Sequence, residues 1–482
     1  MSAPLWTFDA FVAAIEGRPV GVSREAVSGI SIDSRTVQPG DAFFAIRGDN
    51  FDGHDFVTMA MAGGAGVAVI SEARLAALGH ITGTLIVVDD VLQALVRLGR
   101  AARGRSQARI AAVTGSVGKT GTKAMLARAL SPSRAVHASP ASFNNHWGVP
   151  LTLSRMPPEA EVGIFEIGMN HAGEIEPLVR MVRPHVAIIT TVAPVHLEYF
   201  GGVEEIARAK AEIFLGVEPG GAAILNRDND YFDLLASLAR EAGVETIIGF
   251  GEHPEAEARV EAIDMKPESS GVLATILGTE VTYELGAPGR HMIQNSLAVL
   301  AAVDLLGGDL EAAATALGRM TAPGGRGARL RLDLAAGSAT LIDESYNANP
   351  VSMRAAIALL GQSVPPGEGR RIAVLGDMLE LGVESAAMHA DLSEALVEAG
   401  VDMVFLAGPE MMALWEALPD SRRGAYAETA AELEPIVAEA LRPGDVVMVK
   451  GSNASRMGPL VAALRSRFEG AASGSEQGRE IA

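Results

Sequence analysis

Residues 109–113, Arg-Ile-Ala-Ala-Val, run into Gly-Ser-Val-Gly-Lys-Thr at 115–120, and a helix-forming stretch, Lys123-Ala-Met-Leu-Ala-Arg128, follows at once. An apolar strand, a glycine turn, Lys-Thr and then a helix can be built in few ways. The glycines let backbone N–H groups approach an anion, the helix N-terminus favours negative charge, and a lysine and a hydroxyl lie within reach of a triphosphate and its cation. Gly115, Ser116 and Gly118 are therefore expected to cradle phosphates, with Lys119 on the β/γ oxygens and Thr120 on Mg²⁺. The longer GxxxxGK[ST] pattern places a glycine at position 113, where this chain has Val113. The flanking strand and helix argue against a chance turn.

A chain of 482 residues exceeds what one core supports, and the length prior is about three domains. With 48 % hydrophobic and 20 % charged residues the composition is that of a folded protein. Aromatics are only 5 %, which suits α/β layers more than a sandwich. The 59 acidic against 39 basic side chains give a net charge of −20, which disfavours a nucleic-acid partner. Cysteine is absent, excluding disulfides and thiolate metal sites. The first residues lack a basic segment ahead of an apolar one, and no apolar run reaches the ~18 residues of a membrane span, so a cytoplasmic protein is expected.

Residues 1–88 read as a small α/β domain with strands near 42–46, 66–70 and 85–88 and one helix. Residues 89–323 read as a central domain whose apolar runs at 109–113, 162–166, 186–190 and 222–226 alternate with helical stretches, the pattern of a parallel sheet. A Gly/Pro-rich linker at 321–327 precedes a Rossmann-like α/β domain, 324–468, with strands near 339–342, 371–375, 403–406 and 446–449. Residues 469–482 are small and polar and read as a disordered tail.

In open α/β sheets ligands gather beyond the carboxyl ends of strands. Glu166 ends one apolar run, His196 follows another, and Asn144 and Asn145 sit in the loop FNNHWGVP. A carboxylate and an imidazole beside Thr120 are suited to a divalent cation, although a strand-end Glu can equally cap a helix and a lone His is more often structural. Lys210 flanks the apolar face formed by Ile206, Ala209 and Ile213, so the pattern alone favours a solvated lysine. The run Asp343-Glu-Ser-Tyr346-Asn347-Ala-Asn349-Pro350 is rich enough to grip a ribose or substrate, yet such turns also cap helices for local reasons.

Taken together, DSRTVQPGDAFFAIRGDNFDGHDF at 33–56, TGSVGKTGTK, FNNHWGVP, EIGMNHAGEI, HLEYFG with AKAEIF, GRHMIQNSLAVLAA, DESYNANP and VLGDMLELG resemble the Mur ligases, ATP-dependent amide-bond-forming enzymes of peptidoglycan synthesis. The resemblance spans nearly the whole chain. EIGMNHAGEI, DESYNANP and GDMLELG look like the member that adds D-alanyl-D-alanine to UDP-N-acetylmuramoyl-tripeptide; the DNPR of the member that adds the third amino acid is absent. A sibling ligase and an NTP-driven switch are the rival readings. The resemblance implies a UDP-sugar domain, an ATPase domain and a Rossmann-like domain; a monomer is expected, although the sequence itself does not show the oligomeric state. It implies that Glu166 and His196 ligate Mg²⁺, that Asn295 and Arg326 contact the nucleotide and Asp343 its ribose, and that Ser34 and Arg35 meet the uridine diphosphate. Asn144, Asn145, Tyr346, Asn347 and Asn349 become substrate candidates. Lys210 matches a lysine that is carbamylated by CO₂ into a metal-bridging carboxylate, which reverses the pattern-based reading. The family's Asn loop commonly reads NxNN, and this chain has Ser142 at the first position.

Overall fold

The computed structural model describes residues 4–79, 83–195, 197–266, 268–321 and 324–468. His196 and the 469–482 tail lie outside the described residues. The chain divides into two compact units: one runs through Thr190 and takes in Arg208–Ala258 and Ala298–Ala313, and the other holds Thr191–Ala207, Arg259–Leu297 and the chain from Ala314 on.

The first unit opens on a five-stranded sheet in the order Arg18–Val20, Thr84–Val88, Val67–Ser71, Ala42–Phe44, Ile30–Ser31, parallel except at Arg18–Val20. Where the sequence suggested one helix before residue 88, the structure has the short helices Phe8–Ile15 and Val57–Ala62, among others. Segments this short display little more than two turns of helical period, too few to stand out. Helix Val91–Arg105 presents Val91, Ala94, Leu95, Leu98 and Ala102 to Phe11, Phe44 and Ile86 of this core.

Six parallel strands follow in the same unit, ordered Thr246–Gly251, Ala222–Asn226, Val186–Ile189, Arg109–Thr114, Val162–Glu166, Val136–Ala138. Arg109–Thr114 is central and buried from Ile110 onward, as a strand covered on both faces must be. That placement brings its carboxyl end, and the glycine loop after it, between the ends of Val162–Glu166 and Val186–Ile189.

In the second unit Ser270–Ile276 pairs antiparallel with Thr279–Leu285. Burial alternates along Ser270–Ile276 and from Glu280 to Leu285, the mark of half-covered strands. The sequence reading missed them because it searched for unbroken apolar runs. The last sheet runs Ala328–Leu334, Gly337–Glu344, Val446–Lys450, Arg371–Gly376, Met403–Ala407, Arg423–Ala427, parallel apart from its first pair. One face packs Met353, Ile357, Leu392 and Leu406, the other Leu433, Val437, Leu460 and Leu464, the two-layer covering of a doubly wound sheet.

Asp377, the residue after strand Arg371–Gly376, is buried, and its carboxyl is pushed up to about 6, chiefly by desolvation, with Glu410 adding to it. Its folded value lies above the ordinary 3.8, so the native state holds the extra proton between the two. The stabilisation from this group is complete at low pH and is lost as pH rises through about 6. Asp377→Asn, which keeps an acceptor for the Met411 N–H, is therefore expected to raise the thermal midpoint at about pH 7.5 and to lose that advantage near pH 4. Equal midpoint differences at both pH values would refute this.

Candidate active site

Strand Arg109–Thr114 hands the chain to Gly115 at φ 149°, where a Cβ would run into the Thr190 hydroxyl. Gly118 at φ 87° turns the backbone into helix Lys119–Leu130. Both positions demand glycine, one by crowding as well as conformation and one by conformation. Thr190 holds the turn by donating to the carbonyls of Thr114 and Val117. Lys119 Nζ donates to the Gly115 carbonyl at 2.7 Å, folding its ammonium back over the loop.

At the second residue of the helix, Thr120 Oγ1 donates to Glu166 Oε1 at 3.1 Å and lies 2.9 Å from Ser142 Oγ. Asn144 Nδ2 reaches the same Oε1 at 2.8 Å. The loop after Val136–Ala138 and the end of Val162–Glu166 thus converge on Thr120. Ser142, standing where the family has Asn, still contributes a hydroxyl there. Glu166 is 2 % exposed, and its Oε2 makes no hydrogen bond among the described residues.

Lys123, one helical turn beyond Lys119, was not singled out from the sequence. Its buried ammonium lies 3.6 Å from Glu166 Oε2 and donates to Ser139 Oγ at 3.1 Å and to the Ala141 carbonyl at 2.7 Å. The available signal was its i+4 spacing from Lys119, which puts both lysines on one helix face.

Lys210, on helix Val203–Ala211, is 2 % exposed, so the pattern-based reading of a solvated lysine is wrong. Burial, and secondarily the charge of Lys119, hold its amine well below the usual lysine range. No carboxylate pairs with it among the described residues. Nor do three His, Asp or Glu side chains gather into a cation cage among them.

Asn145 spends its side-chain oxygen as a cap, accepting from the N–H groups of Trp147 and Gly148 at the start of helix Gly148–Ser154. Arg35 pairs with Asp33 at 2.7 Å on the surface, with Ser34 between them in the chain.

In the second unit, Asp343 is the penultimate residue of strand Gly337–Glu344 and is buried. Its oxygens accept from the Gly325 N–H at 2.8 Å, the Ser345 N–H at 3.1 Å and Ser345 Oγ at 2.6 Å. Arg326 stacks its guanidinium 3.9 Å from the centre of the Tyr346 ring. A cavity of about 320 Å³ opens beside them, lined by Asp343, Ser345, Tyr346, Asn453 and Arg465. Asn295 is buried on helix Arg290–Leu305. Asn349 caps helix Pro350–Gln362 through a reciprocal pair with Ser352, and the Asn347 carbonyl accepts from Lys450 Nζ at 2.8 Å. Lys450 and Glu344 are register partners on adjacent strands, 3.5 Å apart, a pairing the sequence reading did not find. No helix among the described residues is long and apolar enough to cross a membrane.

Three family descriptions match the chain: "Mur ligase family, catalytic domain" at 26–103, "Mur ligase middle domain" at 113–303 and "Mur ligase, glutamate ligase domain" at 329–453. The UDP-N-acetylmuramoyl-tripeptide--D-alanyl-D-alanine ligase of Escherichia coli is 34 % identical over 448 residues, covering 90 % of this chain and 93 % of its own. MurF from Acinetobacter baumannii superposes with a TM-score of 0.81 at 32 % identity, over 96 % of this chain and all of that one. MurF from Thermotoga maritima, solved in complex with ADP, gives 0.74 at 25 % identity, over 92 % of this chain and 98 % of that one. Matched by three successive Mur ligase domain descriptions and 34 % identical over nine-tenths of its length to a member, the chain belongs to the Mur ligase family.

Proposed function

We propose that the chain joins D-alanyl-D-alanine to UDP-N-acetylmuramoyl-tripeptide in the cytoplasm, as a monomer, at the expense of ATP. The convergence of Thr120, Asn144 and Glu166 ahead of Lys119, in a chain aligned over nine-tenths of its length with ligases of that name, carries this reading. A carboxylate is a poor acyl donor: its oxygen leaves badly and its charge repels nucleophiles. Transfer of the γ-phosphoryl group to the tripeptide carboxylate gives an acyl phosphate and ADP; attack by the dipeptide amine then forms the amide and expels phosphate.

Lys119 exchanges the Gly115 carbonyl for the β/γ oxygens, and the N–H groups at the start of helix Lys119–Leu130 receive the phosphates. Mg²⁺, when bound, supplies neutralisation of the triphosphate charge. Glu166 and Thr120 fit it, because Oε2 is a buried carboxylate oxygen with no hydrogen-bond donor among the described residues. His196 and a carbamylated Lys210 complete that set in this reading. Asn295, Arg326 and Asp343 hold the nucleotide, Ser34 and Arg35 the uridine diphosphate, and Tyr346 and Asn347 a substrate. Residues 1–88, 89–323 and 324–468 serve as the UDP-sugar, ATP-binding and Rossmann-like domains.

Purified protein with ATP, Mg²⁺ and UDP-tripeptide, offered a panel of amino acids and dipeptides, is expected to release phosphate only when D-alanyl-D-alanine is present, one phosphate per amide formed by mass. Equal phosphate release without either substrate would identify a nucleotide-driven switch instead. Product with a single amino acid in place of the dipeptide would identify a sibling ligase.

A further inference from the structure

Glu166 has two chemically distinct oxygens. Oε1 takes two neutral donors, Thr120 Oγ1 and Asn144 Nδ2. Oε2 faces the Lys123 ammonium at 3.6 Å, a distance that gives charge attraction without a hydrogen bond. The ammonium points its own donors at Ser139 Oγ and the Ala141 carbonyl. Both side chains are almost wholly buried, so solvent screens the pair weakly. A buried ion pair at this separation neutralises the carboxylate while leaving Oε2 lone pairs uncommitted.

We propose that Lys123 is a positioning residue that governs when the cation binds: its charge lowers the affinity of Glu166 for a bare divalent cation, so that the cation is held only together with the triphosphate. By the same bonds Lys123 ties the 139–141 segment to the helix and keeps Asn144, three residues on, against Glu166. The inference rests on the reading that Glu166 is a cation ligand, and it adds the order of loading. Three negatively charged oxygens of a triphosphate outweigh the repulsion from one ammonium; a free cation meeting one neutralised carboxylate does not.

Mn²⁺ is the probe, its free fraction followed by electron paramagnetic resonance on the full chain. The wild-type protein is expected to bind Mn²⁺ at least about tenfold more weakly without nucleotide than with a non-hydrolysable ATP analogue. Tight binding to the nucleotide-free wild type would overturn the proposal without any variant. Lys123→Gln removes the charge and retains an N–H donor on the helix face toward the Ser139 and Ala141 acceptors. It is expected to tighten nucleotide-free Mn²⁺ binding by about tenfold and to narrow the difference made by the analogue. A purely structural lysine would leave that affinity unchanged or weaken it, and either result would overturn the proposal. Glu166→Gln separates the two levels of inference. It should abolish the nucleotide-free binding gained in Lys123→Gln when the two are combined; if Mn²⁺ binding with the analogue is unaffected by Glu166→Gln alone, the cation-site reading itself fails.

Discussion

Lys119→Ala is expected to lower turnover by about 10³-fold or more while the thermal midpoint moves by no more than about 2 °C. Chemistry and stability separate here because the lysine stands at the mouth of helix Lys119–Leu130, donating to the Gly115 carbonyl, while the apolar side chains that bury that helix, such as Met125 and Leu126, are untouched by the change. Loss of such a bond costs little. Charge that builds on the equatorial oxygens of a transferring phosphoryl group has no substitute for an ammonium placed within the loop. Steady-state phosphate release and a thermal melt on the same preparation decide it. Near-normal release would remove the phosphate-cradle assignment, and a collapse of the midpoint would make Lys119 a structural residue.

Lys210→Ala is expected to be inactive and to regain part of its activity with short carboxylates such as formate or acetate. The physical reason lies in burial: desolvation, and secondarily Lys119, hold this amine well below the usual lysine range, so it gives up its proton more readily than a solvated lysine, and the neutral amine is the form that adds CO₂. The balance is R–NH₂ + CO₂ → R–NH–COO⁻ + H⁺, so the nitrogen lone pair forms the new bond and a proton leaves. Burying the resulting anion next to Lys119 converts a like-charge conflict into an attraction. Wild-type protein kept free of CO₂ should accordingly lose activity and recover it with bicarbonate, more completely at higher pH because the reaction releases a proton. Full activity in Lys210→Arg, with no response to carboxylates in Lys210→Ala, would instead mean that a plain cation suffices.

Lys210 also shows where a sequence pattern fails. Its position flanks the apolar face of its own helix, and on an isolated helix that is a half-wet site. Burial came from what covers the helix, which no local period records. Asn349 and Asn145 show a second limit: their identities suit substrate binding and capping equally well, and only the structure shows their side-chain oxygens accepting from Ser352 and from the Trp147 and Gly148 amides. The strands at 109–114, 162–166, 186–189 and 446–450 were legible because buried parallel strands are apolar on both faces. The 270–285 hairpin was not, since Thr279–Leu285 is apolar on alternate residues only and Ser270–Ile276 has no apolar run longer than Val272-Leu273-Ala274.

What the sequence determined by itself is whatever is encoded within a few residues: the glycine turn after Val113-Thr114, the helix behind it, the Pro350 start of a later helix and the α/β alternation. Local sterics decide these, and they would be the same in any fold. What only the tertiary structure decided is which distant groups share one carboxylate. Glu166 is bound by Thr120 and Asn144 and faced by Lys123 because the strands at 109–114 and 162–166 are neighbours although other elements intervene in the chain. Strand order is set by how whole sheets bury their faces, a sum over the core that no single motif carries.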